Sequence, residues 1–441
     1  MRYILEKLAS NQILALLSYP PYLSFSLSVF FSQIGFNMLN IVLIFLVFYL
    51  TSSNFAVAVL LFTILVPQVL LSFIGGIVAD IANKKKILVI GNLLRAAILI
   101  ILFFNFNSLL LVYFITLIVS VITQFYVPAE SPLIPVLVKR KNLIAANSIF
   151  GIGLFGSILI GYVIAGPAVA ILGRSGIFLF LSLIFFFAAI FAFLIPSATI
   201  KRFEIQTNRP TTRKSIWEAF KESFLILKKT KSVGDAFFLL IFSQIIIFVL
   251  AALIPGYATN ILQIPTEDMS LILFAPAAVG MIMSAFLIGS VFNNVKKEKL
   301  MNLGILLSGI VLMLLPFTSR ILAQEAIATI NLLTPAYIKL NVFNFVLLLA
   351  LIAGFANALI FVPSQAVIQE IIPQDFRSKI YGLLFAMIGI FSIIPIMAAG
   401  GVADLFGVGA VFFSIGLGIL LVGLIRVKFL ISFFWILIRK K

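Results

Sequence analysis

Residues 55–104 read FAVAVLLFTILVPQVLLSFIGGIVADIANKKKILVIGNLLRAAILIILFF, two long apolar runs joined by one short stretch that ends in Lys84, Lys85 and Lys86. A helix needs roughly 20 apolar residues to cross about 30 Å of hydrocarbon, and each run is long enough. The pattern recurs along the chain. Candidate spans cover 22–50, 55–81, 87–106, 109–127, 143–172 and 177–194, then 236–257, 271–292, 300–317, 343–362, 380–403 and 406–425. Membrane strands would show as alternating segments of about ten residues, and no such segments occur. The fold class expected is an all-α membrane protein of twelve transmembrane helices.

Composition agrees. Of 441 residues 63% are apolar and 10% charged, with a mean hydropathy of +1.25. So little charge cannot cover a soluble core. Cysteine and histidine are both absent, which excludes disulfides, thiolate or histidine metal sites and Ser-His-Asp or Cys-His catalysis. No cofactor is expected, and no enzyme activity. The formal charge of +17 does not gather on one soluble face as in nucleic-acid binders. It lies in short clusters between spans, where it suits an anionic inner leaflet.

Counting Lys and Arg by loop puts 27 of 31 on one side of the membrane, with only Arg174, Arg320 and Lys339 opposite and Arg95 inside a span. Basic loops stay inside, so both termini are expected in the cytoplasm and the chain in the cytoplasmic (inner) membrane. Residues 1–19 lack a continuous apolar core. They read as a short interfacial helix, not a cleavable leader.

A polar stretch, 197–235, separates a half of residues 1–196 from a half of residues 236–441. It holds a capping box, Ser215 answered by Glu218, ahead of Phe220, Phe224 and Leu227 at helical spacing. That predicts an amphipathic helix on the inner leaflet. The halves resemble one another. Gly76, Asp80 and Lys84 return as Gly289, Asn293 and Lys297, an offset of 213. VPAESPLIPVLV after the fourth span returns as VPSQAVIQEIIP after the tenth, an offset of 235. An insertion in the 319–342 loop accounts for the difference. Parallel six-helix repeats with a site at their interface mark a large class of secondary transporters.

The stretch GGIVADIANKKKILVIGNLLRAA resembles the signature that the major facilitator superfamily carries between its second and third helices. Gly76, Asp80, Lys84 and Lys85 fit it, and they are the candidate conformational latch. Ile81 stands where the family has a basic residue and Asn83 where it has a glycine. Asn83 is expected to keep the turn by taking the left-handed conformation. GFNMLNIVLIFLVFYLTSS, NLLRAA and the two VP segments are similar to the drug-exporter branch, which includes macrolide-efflux, enterobactin-exporter and lysophospholipid-transporter proteins. The resemblance implies that spans 1, 4, 7 and 10 line a central cavity. It also implies that Asp80 contacts the inner start of the eleventh span, near Ser378 and Lys379, in the outward-open state.

On those spans the polar residues are Gln33, Asn37 and Asn40, then Thr123 and Gln124, then Ser243 and Gln244, then Asn357. Amides at membrane depth avoid lipid. They either line the cavity or bond helix to helix, at roughly 0.6 kcal/mol per bond. Arg95 lies about 13 Å into its span at about 1.5 Å per residue and should have an acidic partner. Glu130 and Asp80 are the nearest candidates, either as a structural ion pair or as a functional one. For proton coupling Glu130 is the foremost residue. Its repeat position is Gln365, which cannot titrate, with Glu370 beyond it. The function expected is export of a small amphipathic or lipophilic compound by a monomer, with protons as a candidate coupling ion and membrane lipid as surroundings. The alternative is a lysophospholipid flippase of the same fold. A transport-inactive receptor or a membrane enzyme is the reading from another class.

Overall fold

The computed structural model describes residues 12–196, 230–292, 294–319, 342–372 and 374–438. Residues 1–11 of the expected interfacial segment 1–19, the amphipathic helix of the linker, Asn293 and the 320–341 loop lie outside the described residues.

Apart from a short turn of helix at Gln12–Leu17, the described residues of the first half form α1 (Pro20–Thr51), α2 (Asn54–Ile81), α3 (Lys84–Asn105) and α4 (Leu109–Glu130). A single helical stretch, Leu143–Phe193, follows. Gly173 breaks it with φ 73° and ψ 172°, a region open to glycine alone. It therefore holds two spans, α5 (143–172) and α6 (174–193). The second half contains α7 (Lys231–Gly256), α8 (Ala275–Ser290), α9 (Lys297–Leu314), α10 (Val342–Ile371), α11 (Gln374–Phe406) and α12 (Val408–Ile438). Among the described residues eleven helices are long and apolar enough to cross a membrane, and the break in one of them makes the expected twelve. The described residues contain no strand.

The fourth and tenth spans run further than their sequence suggests. Pro128 and Pro363 look like stops, yet both lie inside helices that continue to Glu130 and Ile371. A proline in a membrane helix removes one backbone bond, which neighbouring groups can replace. Glu130 is the last residue of α4, at the end of the fourth span where the sequence puts it.

The chain divides into two compact units, Met1–Leu50 with Thr63–Lys214, and Thr51–Phe62 with Ser215–Lys441. The boundary falls inside the expected linker, but the first third of α2 groups with the second unit. In the first unit Tyr22, Phe25, Leu88, Tyr126 and Ala146 form a buried core. There the Tyr22 hydroxyl donates to the carbonyl of Ala146 at 2.7 Å. The second unit has its own core around Phe237, Leu240, Ile368, Ile380 and Leu384.

Lipid tails give helices no hydrophobic reason to associate, so small residues set their approach. A Cβ on Gly280 of α8 would stand 1.9 Å from the carbonyl oxygen of Leu351. One on Gly354 of α10 would stand 1.8 Å from that of Ala277. The α8 and α10 backbones thus touch through reciprocal glycines. In the first unit, Gly75 of α2 meets the Gln124 carbonyl of α4 the same way, at 1.9 Å.

Candidate functional site

In the first unit α1, α3 and α4 converge on Arg95, which is 1% exposed. Its Nη1 donates to Ser32 Oγ at 3.1 Å and its Nη2 to Thr123 Oγ1 at 2.9 Å. Ser32 in turn donates to Asn92 Oδ1 at 2.9 Å, and Asn92 Nδ2 to the Tyr126 hydroxyl at 3.2 Å. Three rings surround the guanidinium, with centroids at 4.4 Å for Tyr126, 5.5 Å for Phe185 and 5.8 Å for Phe36. A desolvated cation over an aromatic face gains up to about 2 kcal/mol. That is how a charge at this depth is held without a carboxylate in contact. Nε has no hydrogen-bond partner.

The direct Arg95–Glu130 pair expected from depth and charge is therefore not formed. Thr123, which holds the guanidinium, precedes Glu130 by seven residues on α4, about 10 Å of helix. Glu130, 2% exposed, instead accepts from Gln33 Nε2 at 3.1 and 3.2 Å, one bond to each oxygen. Adjacent residues of α1, Ser32 and Gln33, thus hold the two charges separately.

The remaining α1 amides do not act as one face. Asn37 is buried and donates to the Gln33 carbonyl at 2.8 Å, while a Cβ on Gly161 of α5 would stand 2.9 Å from its own Cβ. This is helix packing. Asn40, one turn on, is half-buried. Gln124 is half-buried and donates to the Ser120 carbonyl of its own helix at 3.3 Å.

In the second unit Asn357 Nδ2 donates to the buried Ser243 Oγ at 2.9 Å, so the polar residues predicted on α7 and α10 do come together. Gln244 is half-buried beside them. Glu370 is the other acid considered for coupling. The continuation of α10 past Pro363 carries it to the surface, where it is 64% exposed and ion-paired with Lys297. Sequence reading also missed a bidentate pair. Arg426 of α12 donates to both oxygens of Asp235 on α7, at 2.8 and 2.6 Å, and through Nε to Asn302 of α9 at 3.1 Å. The signal for it in the sequence is that Arg426 is the first charge after a long apolar run.

At the latch signature Gly76 is half-buried, and the side chains of Asp80, Ser378 and Lys379 lie outside the described residues. Asn83 does not adopt the left-handed conformation. At φ −68° and ψ 109° it is the N-cap of α3, its Oδ1 accepting from Lys86 N at 3.1 Å. Asparagine caps a helix as well as any residue, so the position serves α3 and not a left-handed turn. Lys84 opens that helix, and Lys85 places its Nζ 5.1 Å from the Phe193 ring centroid.

The second unit also has a half-open cavity of about 530 Å³ lined by α7, α9, α11 and α12. Phe242, Val249, Leu312, Pro395 and Val402 are among its walls, and Ser414 brings the one side-chain hydroxyl.

The Major Facilitator Superfamily profile matches residues 25–330, well over half of the chain. The chain belongs to the Major Facilitator Superfamily. It is accordingly a multi-pass membrane transporter that binds a small-molecule substrate, and not an enzyme. An uncharacterized MFS-type transporter of Bacillus subtilis (strain 168), YfiS, is 23% identical over 384 residues, 86% of this chain and 85% of its own. Among solved structures, the nucleoside transporter NupG aligns with a TM-score of 0.69 at 15% identity, covering 92% of this chain and 99% of its own. A POT family transporter in complex with 5-aminolevulinic acid gives 0.66 at 14%, covering 92% and 95%. A bacterial homologue of the iron transporter ferroportin gives 0.63 at 15%, covering 92% and 98%. At such identities these superfamily members share the fold, and their substrates differ widely.

Proposed function

We propose that this transporter exports a small amphipathic or lipophilic compound by alternating access, driven by protons that Glu130 takes up and releases. It works as a monomer in the cytoplasmic membrane with both termini inside. The observation that carries the coupling role is the Gln33–Glu130 contact, a carboxylate buried on a membrane helix and held by a neutral amide. Such a group can change protonation without breaking an ion pair, and a site whose charge can change is what coupling needs. Arg95, fixed nearby by hydroxyls and rings, supplies a constant positive field. The Ser243–Asn357 pair and the half-buried Gln124, Gln244 and Asn40 offer neutral polar contacts, which suits uncharged or amphipathic solutes better than multiply charged ones. Asp80 remains the proposed inner latch, with Gly76, Lys84 and Lys85 shaping its turn.

The apolar cavity of the second unit favours one alternative, a lysophospholipid flippase, because an acyl chain needs such walls. Reconstituted liposomes decide between the two. Uptake of lipophilic cations and neutral drugs should rise with an imposed pH gradient and be lost in Glu130→Gln. Movement of lysophospholipid without any gradient, with no drug transported, would replace export by flipping.

A further inference from the structure

A helix begins with backbone N–H groups that have no partner inside it. At the start of α2 the chain meets this need from far away. Ser53 precedes the helix, and its Oγ accepts from Ala56 N at 3.1 Å. Asp404, in the last turn of α11, takes the rest. Its Oδ1 accepts from Asn54 N at 2.7 Å and from Asn54 Nδ2 at 3.0 Å. Its Oδ2 accepts from Phe55 N at 3.1 Å and from Ser53 Oγ at 2.5 Å. One carboxylate thus holds four donors across 350 residues of sequence, where the partial positive charge of a helix N-terminus favours it.

The packing beneath is equally close. A Cβ on Gly256 of α7 would stand 2.4 Å from Asn54 Oδ1, and one on Gly400 of α11 would stand 2.8 Å from the Asn54 carbonyl oxygen. Val57, Ala58 and Leu60 are 0% exposed. This is why Thr51–Phe62 groups with the second unit while α2 from Thr63 onward belongs to the first. The helix that carries the latch signature at its end is clamped at its start. The two places also share a spacing. Gly76 and Asp80 close α2, and Gly400 and Asp404 close α11, each a glycine followed four residues later by an aspartate.

We propose that Asp404 is a second latch at the end of α2 remote from the lysine cluster. Its carboxylate keeps residues 51–62 seated on α7 and α11, and its release is the step that frees this end of the helix during the transport cycle. The proposal rests on the alternating-access reading.

The chain has no cysteine, so a single reporter is clean. Ala58→Cys lies at a buried position of the clamped segment and Ala236→Cys at a buried position on α7. Each is made with and without Asp404→Ala, reconstituted, and treated with a membrane-permeant thiol reagent. Loss of the latch should speed labelling of Ala58→Cys at least tenfold, corresponding to about 1.4 kcal/mol, and leave Ala236→Cys unchanged. Ser53→Ala should give a smaller change in the same direction. An unaltered rate at Ala58→Cys overturns the proposal, and so does equal acceleration at both cysteines, which means general loosening. The reading needs no substrate. Faster labelling in a chain that transports nothing would leave the latch standing and remove the export function. Unaltered labelling in an active transporter would remove the latch alone.

Discussion

Replacing Arg95 by Met and Glu130 by Gln, singly and together, tests how the two buried charges are held. A direct ion pair at 4 Å would couple by about 4 kcal/mol at an effective dielectric constant of about 20. Here the guanidinium lies against Tyr126 and Thr123, while the carboxylate is one to two turns further along α4. A separation of roughly 6–10 Å gives about 1.7–2.8 kcal/mol at the same dielectric. The single Arg95→Met change should also be milder than breaking a contact pair, which costs about 3–5 kcal/mol by stranding a charge. Nothing is stranded, since Thr123 still donates to the Val119 carbonyl at 2.7 Å and Ser32 to Asn92. The assay is equilibrium unfolding of the four variants in mixed micelles, analysed as a double-mutant cycle. Arginine stays charged throughout, so the coupling follows the ionisation of Glu130. It should be present in alkaline buffer and fade as acidification protonates the carboxyl. A coupling near 4 kcal/mol would refute the separated geometry. One that does not change with pH would show that Glu130 holds its protonation state, and the coupling role would fall with it.

Gly354→Ala places a methyl carbon on the Ala277 carbonyl oxygen. The helices must part, and overpacking of this kind costs about 1–3 kcal/mol or more, read as a lower apparent melting temperature. Gly76→Ala, at a glycine with open space around its Cα, is the mild comparison. Topology is checked with Asp268→Cys and Asn294→Cys, both at exposed positions. An impermeant thiol reagent added to intact cells should label the first and spare the second.

Much of the architecture was legible because hydropathy in a membrane protein has one dominant cause, the length of apolar helix that lipid demands. All twelve spans could be read that way, even α5 and α6, which share one unbroken helical stretch but for Gly173. Span ends were less legible. Pro128 and Pro363 read as stops on rules drawn from water, and the helices pass through both. The site was half visible. Arg95 and Glu130 stood out because charge is rare at that depth, and Ser243 with Asn357 because polar groups in lipid seek each other. What holds Arg95 was hidden, since a chain with 47 phenylalanines gives no sign which rings face a cation. The Asp404 clamp was hidden too. Nothing local in Ser53-Asn54 points to a partner 350 residues away.

The contact between α8 and α10 has a consequence for genetics. Steric defects in proteins are usually relieved by a second substitution that trims the neighbour. At Gly280 and Gly354 the neighbour is a main-chain oxygen, that of Leu351 or Ala277, and no codon change can shorten a carbonyl. Suppressors of a lesion at either glycine should therefore never map to the facing residue. They should map to distant positions that raise the stability of the whole unit.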